Sequence, residues 1–184
     1  MILPVYAYGQ PVLLKKAAEI DKDYPELKAL LENMWETMYH AQGVGLAAPQ
    51  IGKGIRIFLV DTVQVMEEGN EEQGIKKAFI NAQIIEESGT PWDYEEGCLS
   101  IPNIRGDVSR QAQITIRYQD EDFVEHTEVY DGINARVIQH EYDHIDGILF
   151  TDKLKPLKKK LISRKLENIR KGKVRADYSL RFVN

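Results

Sequence analysis

His140-Glu141-Tyr142-Asp143-His144 restricts the fold more than any other segment. Histidines four residues apart share one helix face about a turn from each other, so both imidazoles reach one metal ion only if this segment is helical. Glu141 then lies beside the position of a metal-bound water, where a carboxylate can act as a base. Cys98, the only cysteine, sits 42 residues upstream in Glu96-Gly97-Cys98-Leu99-Ser100. For its thiolate to be a third ligand, the chain must fold 96–100 back onto the helix. Three protein ligands leave one coordination position open, which is the pattern of a catalytic site.

The hydrophobic pattern predicts a mixed architecture. Asp23 is a candidate N-cap with Pro25 in the first turn, and Leu27, Leu30, Leu31, Met34, Trp35 and Met38 follow at helical spacing toward Gly43. Ile55–Val60 reads as a strand, and 114–118 with 124–130 as a hairpin around the polar turn 119–122. Glu67–Gly74 is acidic and Gly-containing, the signature of an exposed loop. The HExxH helix is expected to begin after Asp131, bury Ile133, Val137 and Ile138, and stop at Gly147. Beyond Pro156, Leu157, Leu161, Ile162, Leu166 and Ile169 keep helical spacing to about Lys171. Strands that do not alternate regularly with crossover helices point to an α+β fold, and the length suits one domain spanning 1–184.

Charge is uneven. Of 24 Lys/Arg and 29 Asp/Glu, the segment from Lys153 to Asn184 holds 12 basic residues against only Glu167 and Asp177. A basic tail on an acidic body is either a handle for a polyanion or a solvated helix face. Met1-Ile2-Leu3-Pro4-Val5 has no leader or transit pattern, and no apolar run approaches the roughly 18 residues that span a bilayer. With a single cysteine precluding an internal disulfide, the expectation is a cytoplasmic chain with no membrane partner.

Short HExxH patterns recur by chance, and a lone cysteine is most often a small buried side chain. A third segment, Gly43-Val44-Gly45-Leu46-Ala47-Ala48-Pro49-Gln50, taken singly reads as a tight turn after the first helix. Its small residues permit close backbone approach, and Gln50 offers an amide donor to a developing negative charge. Together, Gly43–Gln50, Glu96–Ser100 and His140–His144 resemble the motifs of the peptide deformylase family, in that family's order. The similarity extends more loosely from Met1 through the helix after Lys155.

The resemblance implies antiparallel and mixed sheets packed around a central HExxH helix, with N- and C-terminal helices. It also implies a metal-dependent hydrolase that removes the formyl group from the N-terminal methionine of newly synthesised polypeptides and releases formate. Cys98, His140 and His144 match the metal ligands, Glu141 the general acid/base, and Gln50 with the Leu99 N–H the oxyanion donors. Asp143 matches a supporting carboxylate. Gly45 matches a substrate-backbone contact, and Val44, Tyr94, Ile133, Arg136 and Val137 line the expected side-chain pocket. One divalent ion is implied, Fe(II) first, with zinc, nickel or cobalt as substitutes.

Two rival functions stand beside this one: an HExxH zinc peptidase, whose third ligand usually lies downstream, and a non-catalytic ribosome-binding relative. The resemblance further implies that the basic helix in 153–184 docks near the ribosomal exit tunnel, and the helical spacing has Leu157, Leu161 and Ile162 hold it to the body. On that reading, removal of residues after about Lys171 leaves turnover of short peptides intact. His40 and His126 are expected at surface or helix-end positions without a role.

Overall fold

A computed structural model describes residues 1–184. After a short strand, β1 (Val5–Tyr6), the first helix is α1 (Leu27–His40). It starts three residues later than Asp23 would place it, because Asp21 organises the preceding turn. The Asp21 side chain accepts from the Asp23 N–H and its carbonyl accepts from the Tyr24 N–H. Such local bonds compete with helix formation. α1 buries Leu31, Met34 and Met38, the stripe its periodicity predicts.

β2 (Gly45–Ala47), β3 (Ile57–Asp61), β4 (Lys76–Ser88), β7 (Gln113–Gln119) and β8 (Glu125–Asp131) form one antiparallel sheet in that order. Between β4 and β7 lie β5 (Trp92–Cys98) and β6 (Ile101–Arg110), which pair only with each other. β3 is buried on both faces, which is why it reads as a continuous apolar run. Ile57 and Leu59 join the core under α1, while Phe58 and Val60 join the core under α2 (Gly132–Ile145). The expected hairpin is present as β7–β8, and the α+β class holds.

α2 begins after Asp131 and buries Val137 and Ile138, with Ile133 only partly covered. It ends as Gly147 predicts. Gly147 has φ 76°, its N–H donates to the His144 carbonyl, and the Ile148 N–H donates to that of Asp143. This is a Schellman stop, and a Cβ at Gly147 would also lie 2.8 Å from the Leu14 backbone. Arg56, fully buried, donates from Nη1 to the Ile145 carbonyl and Asp146 and from Nη2 to the Ala82 carbonyl. A cation is thereby fixed at the α2 C-terminus, where the helix dipole favours one.

The acidic stretch 67–74 is exposed for most of its length and tied to α2 where Asn134 Nδ2 donates to the Gln73 carbonyl. α3 (Pro156–Arg170) is held to the body by buried Ile162 and Ile169. Leu157 and Leu161 do not hold it, contrary to the expectation from spacing; they are 70% and 68% exposed. They fall one turn apart on the solvent side, and the apolar stripe that packs runs through Ile162, Leu166 and Ile169. Beyond α3 the chain reverses at Gly172 and returns across the molecule to β9 (Leu180–Arg181), which pairs in parallel with β1. No helix is long and apolar enough to cross a membrane.

Candidate metal centre and active-site cavity

Two elements bring the three ligand candidates together. α2 presents His140 and His144 on one face, and β5 delivers Cys98 at the tip of the β5–β6 hairpin, where Leu99-Ser100 is the turn. Cys98 Sγ lies 3.3 Å from His144 Nε2, and the three donor atoms are all within 4.8 Å of one another.

The donor set fits a divalent cation. His140 Nδ1 lies 2.9 Å from Glu96, a carboxylate that can only accept, so Nδ1 carries the proton and Nε2 presents its lone pair. Burial alone would strip protons from His140, yet Cys98, Glu96 and Glu141 hold its pKa well above the usual 6.5. A metal ion at Nε2 would take the place of that second proton. For His144, burial together with His140 and Arg110 pushes the pKa well below 6.5, leaving a neutral imidazole suited to ligation. Glu141 Oε2 is buried with no hydrogen-bond partner, an acceptor held open beside the cluster.

Glu96 organises the far side of the site, and sequence reasoning missed that role. It accepts from Arg110 Nε (2.7 Å) and Nη2 (3.0 Å), from Arg136 Nη1 (2.9 Å) and from His140 Nδ1. Burial would raise its carboxyl pKa, but His140 and Arg110 hold it far below the carboxylate range. Arg110 Nη1 also donates to Asp143 at 2.8 Å, which ties Asp143 into the same network. The only sequence signal for Glu96 was its position two residues before Cys98. Arg110 and Arg56 had none, because a buried arginine is explained only by partners distant in sequence.

Glu141 is buried between α2 and β2. Burial pushes its carboxyl pKa up to about 7 although His140 opposes the shift. Gly45 is glycine because a Cβ there would stand 2.5 Å from Glu141 Oε1. Gln50 is buried and fixed in orientation: its Oε1 accepts from the Ala47 N–H, so Nε2 points toward Ser100 Oγ (3.2 Å) and Cys98 Sγ (3.4 Å). The Leu99 N–H has no acceptor within the chain.

These groups open onto a cavity of about 820 Å³. Val44, Gly45, Tyr94, Ile133, Arg136 and Val137 all line it. Arg136 contributes only its stem: its guanidinium is committed to Glu96 and to the Val108 and Trp92 carbonyls, with Trp92 and Tyr94 against its faces. A second, shallower hollow of about 470 Å³ shares Tyr94 and Ile133 and is bounded by Glu67, Asn70 and Gln73 of the acidic loop. His40 ends α1 at the cavity rim, and His126 is on β8 with Nε2 2.7 Å from Asp120, so neither approaches the ligand cluster.

One expectation is overturned here. Residues 175–178 of the C-terminal tail line the cavity, so the chain past Lys171 is not separate from the site. Its return depends on β1–β9, a pairing of two residues on each strand nearly the whole chain apart, which no local pattern announces.

The α+β fold thus sets an HExxH helix against a cysteine-bearing hairpin. Residues 2–160 match the family model described as polypeptide deformylase. The chain is 57% identical to a peptide deformylase of Christiangramia forsetii, over 100% of this chain and 97% of that one. It superposes on a peptide deformylase structure from Plasmodium falciparum with TM-score 0.82 and 32% identity, covering 91% of this chain and 95% of that one. For the Thermotoga maritima structure the values are 0.76 and 39%, over 85% and 99%. The chain belongs to the polypeptide deformylase family and is an enzyme of that kind.

Proposed function

We propose that this enzyme hydrolyses the formyl group from the N-terminal methionine of newly synthesised polypeptides in the cytoplasm, yielding formate and a free amine. The carrying observation is the convergence of Cys98, His140 and His144 beside the open carboxylate of Glu141. Cys98, His140 and His144 would hold one divalent ion, Fe(II) in preference to zinc, nickel or cobalt. That ion, when bound, supplies Lewis acidity and makes a water acidic enough to attack near neutral pH.

The rest of the chemistry falls to the chain. Glu141, with its pKa near 7, takes the proton of the attacking water and returns it to the departing amine nitrogen, a poor leaving group until protonated. Gln50 Nε2 and the Leu99 N–H donate to the carbonyl oxygen as it gains charge, and both are fixed beforehand, so little reorganisation is needed. The apolar wall of Val44, Ile133 and Val137 takes the methionine side chain. Gly45 sits on the strand beside Glu141, where a substrate backbone can pair with it.

The basic face of α3 offers phosphate contacts to ribosomal RNA near the exit tunnel, and Leu157 and Leu161 stand exposed beside those lysines. A peptidase reading is disfavoured because the third ligand candidate is an upstream thiolate. Mass spectrometry of formyl-Met-Ala-Ser and Met-Ala-Ser after incubation separates the two. Loss of 28 mass units from the first peptide alone, as formyl is exchanged for hydrogen, is expected; cleavage of a peptide bond in either overturns the reading.

A further inference from the structure

The C-terminal strap between α3 and β9 touches the site without a role in the chemistry above. It is anchored at both ends. Upstream, Ile169 is buried in the core that α3 shares with β6. Downstream, the Ser179 carbonyl accepts from the Val5 N–H and the Arg181 carbonyl from the Ala7 N–H, both at 2.9 Å, while Gln10 Nε2 donates to the Phe182 carbonyl. Between these anchors the strap makes two contacts with the hairpin that carries Cys98. Tyr178 Oη donates to the Leu99 carbonyl at 2.7 Å, and Asn103 Nδ2 donates to the Arg175 carbonyl at 3.3 Å. Asn103 reaches outward because β6 breaks register after Ile101 and Asn103 adopts φ 65°. On its other side the Leu99 side chain packs against Gly43, where a Cβ would lie 2.9 Å from Leu99 Cδ1. Leu99 is therefore held between the first motif and the strap.

We infer that residues 175–178 form a wall of the substrate site and that Tyr178 is a positioning residue, which holds Leu99 so that its N–H faces the reacting carbonyl. The inference rests on the deformylase reading. A donor aimed at charge that develops in the transition state acts mainly on turnover and less on binding. Deleting such a donor costs about 10² to 10³ in rate; releasing its support costs less, on the order of tenfold.

The test compares the full-length iron-loaded protein with Tyr178→Phe on formyl-Met-Ala. The expected result is a roughly tenfold fall in kcat, a KM within about twofold of the parent and a melting temperature within about 4 °C. A kcat within about twofold of the parent overturns the positioning role. So does a loss matched by the unfolded fraction. A second measurement needs no variant. A peptide hydroxamate with a methionine-like side chain should slow amide hydrogen exchange across 174–179 of the parent protein by roughly tenfold or more. Unchanged exchange there, with inhibitor bound, removes the strap from the ligand site. If the parent protein releases no formate, the deformylase reading fails first and the strap proposal falls with it.

Discussion

Glu141 and Glu96 are both buried carboxylates on the same side of the fold, and their surroundings set them to opposite tasks. Glu96 is surrounded by donors and stays charged; Glu141 Oε2 has none and titrates near neutrality. Glu141→Gln keeps the shape and removes none of the three ligand candidates. Its expected outcome is wild-type metal content with turnover down by about 10² to 10⁴, checked by metal analysis beside formate release. Glu96→Gln acts otherwise, because it leaves buried Arg136 without a counterion and Arg110 with Asp143 alone, and weakens the acceptor that orients His140. Urea unfolding should show a loss of about 3–5 kcal/mol, and competition with a chelator a metal affinity about 10- to 100-fold weaker. His140 and His144 were legible in the sequence because their spacing on a helix carries coordination chemistry, and Cys98 because its segment resembles a family motif. Glu96, Arg110 and Arg56 were not, since each is justified only by a partner brought close by folding.

At the scale of elements, legibility followed periodicity. α2 could be placed from Asp131 to Gly147 because cap, stripe and stop agree, and β7–β8 because its alternation is regular. β6 was hidden although its burial alternates. Its inward positions include Gly106 and Arg110 as well as Ile104 and Val108, and Pro102-Asn103 interrupts the run. The sheet also carries its own pH sensitivity. Glu128 on β8 accepts from Tyr118, Tyr130 and Lys77, and these bonds outweigh burial to lower its carboxyl pKa from 4.5 to about 2. A carboxyl depressed in the fold stabilises fully above its unfolded pKa, and that contribution is lost as pH falls from about 4.5 through 2. The urea midpoint of the parent should therefore exceed that of Glu128→Gln at pH 6 and approach it near pH 2. A gap that widens on acidification would contradict the assignment.

On the scale of the whole molecule, an acidic body holds the cavity and a basic C-terminal helix lies apart from it. Reversing the charge of Lys158, Lys159 and Lys160 should weaken ribosome binding and flatten its salt dependence. Turnover of formyl-Met-Ala should be unchanged, because α3 contributes nothing to the cavity wall. Sedimentation with ribosomes at two salt concentrations reads the first effect and formate release the second. The strap after α3 is the exception to that division. It was invisible in the sequence because its return depends on a two-residue parallel pairing with β1, too short to leave a pattern.

The most direct measurement of the central claim is formate release from formyl-Met-Ala by metal-free protein titrated anaerobically with ferrous iron. One ion held by one thiolate and two imidazoles predicts activity that rises linearly and breaks at about one equivalent per chain, with Cys98→Ala staying inactive at the same iron concentrations. Full activity before any iron is added, or an equal response from Cys98→Ala, would contradict it.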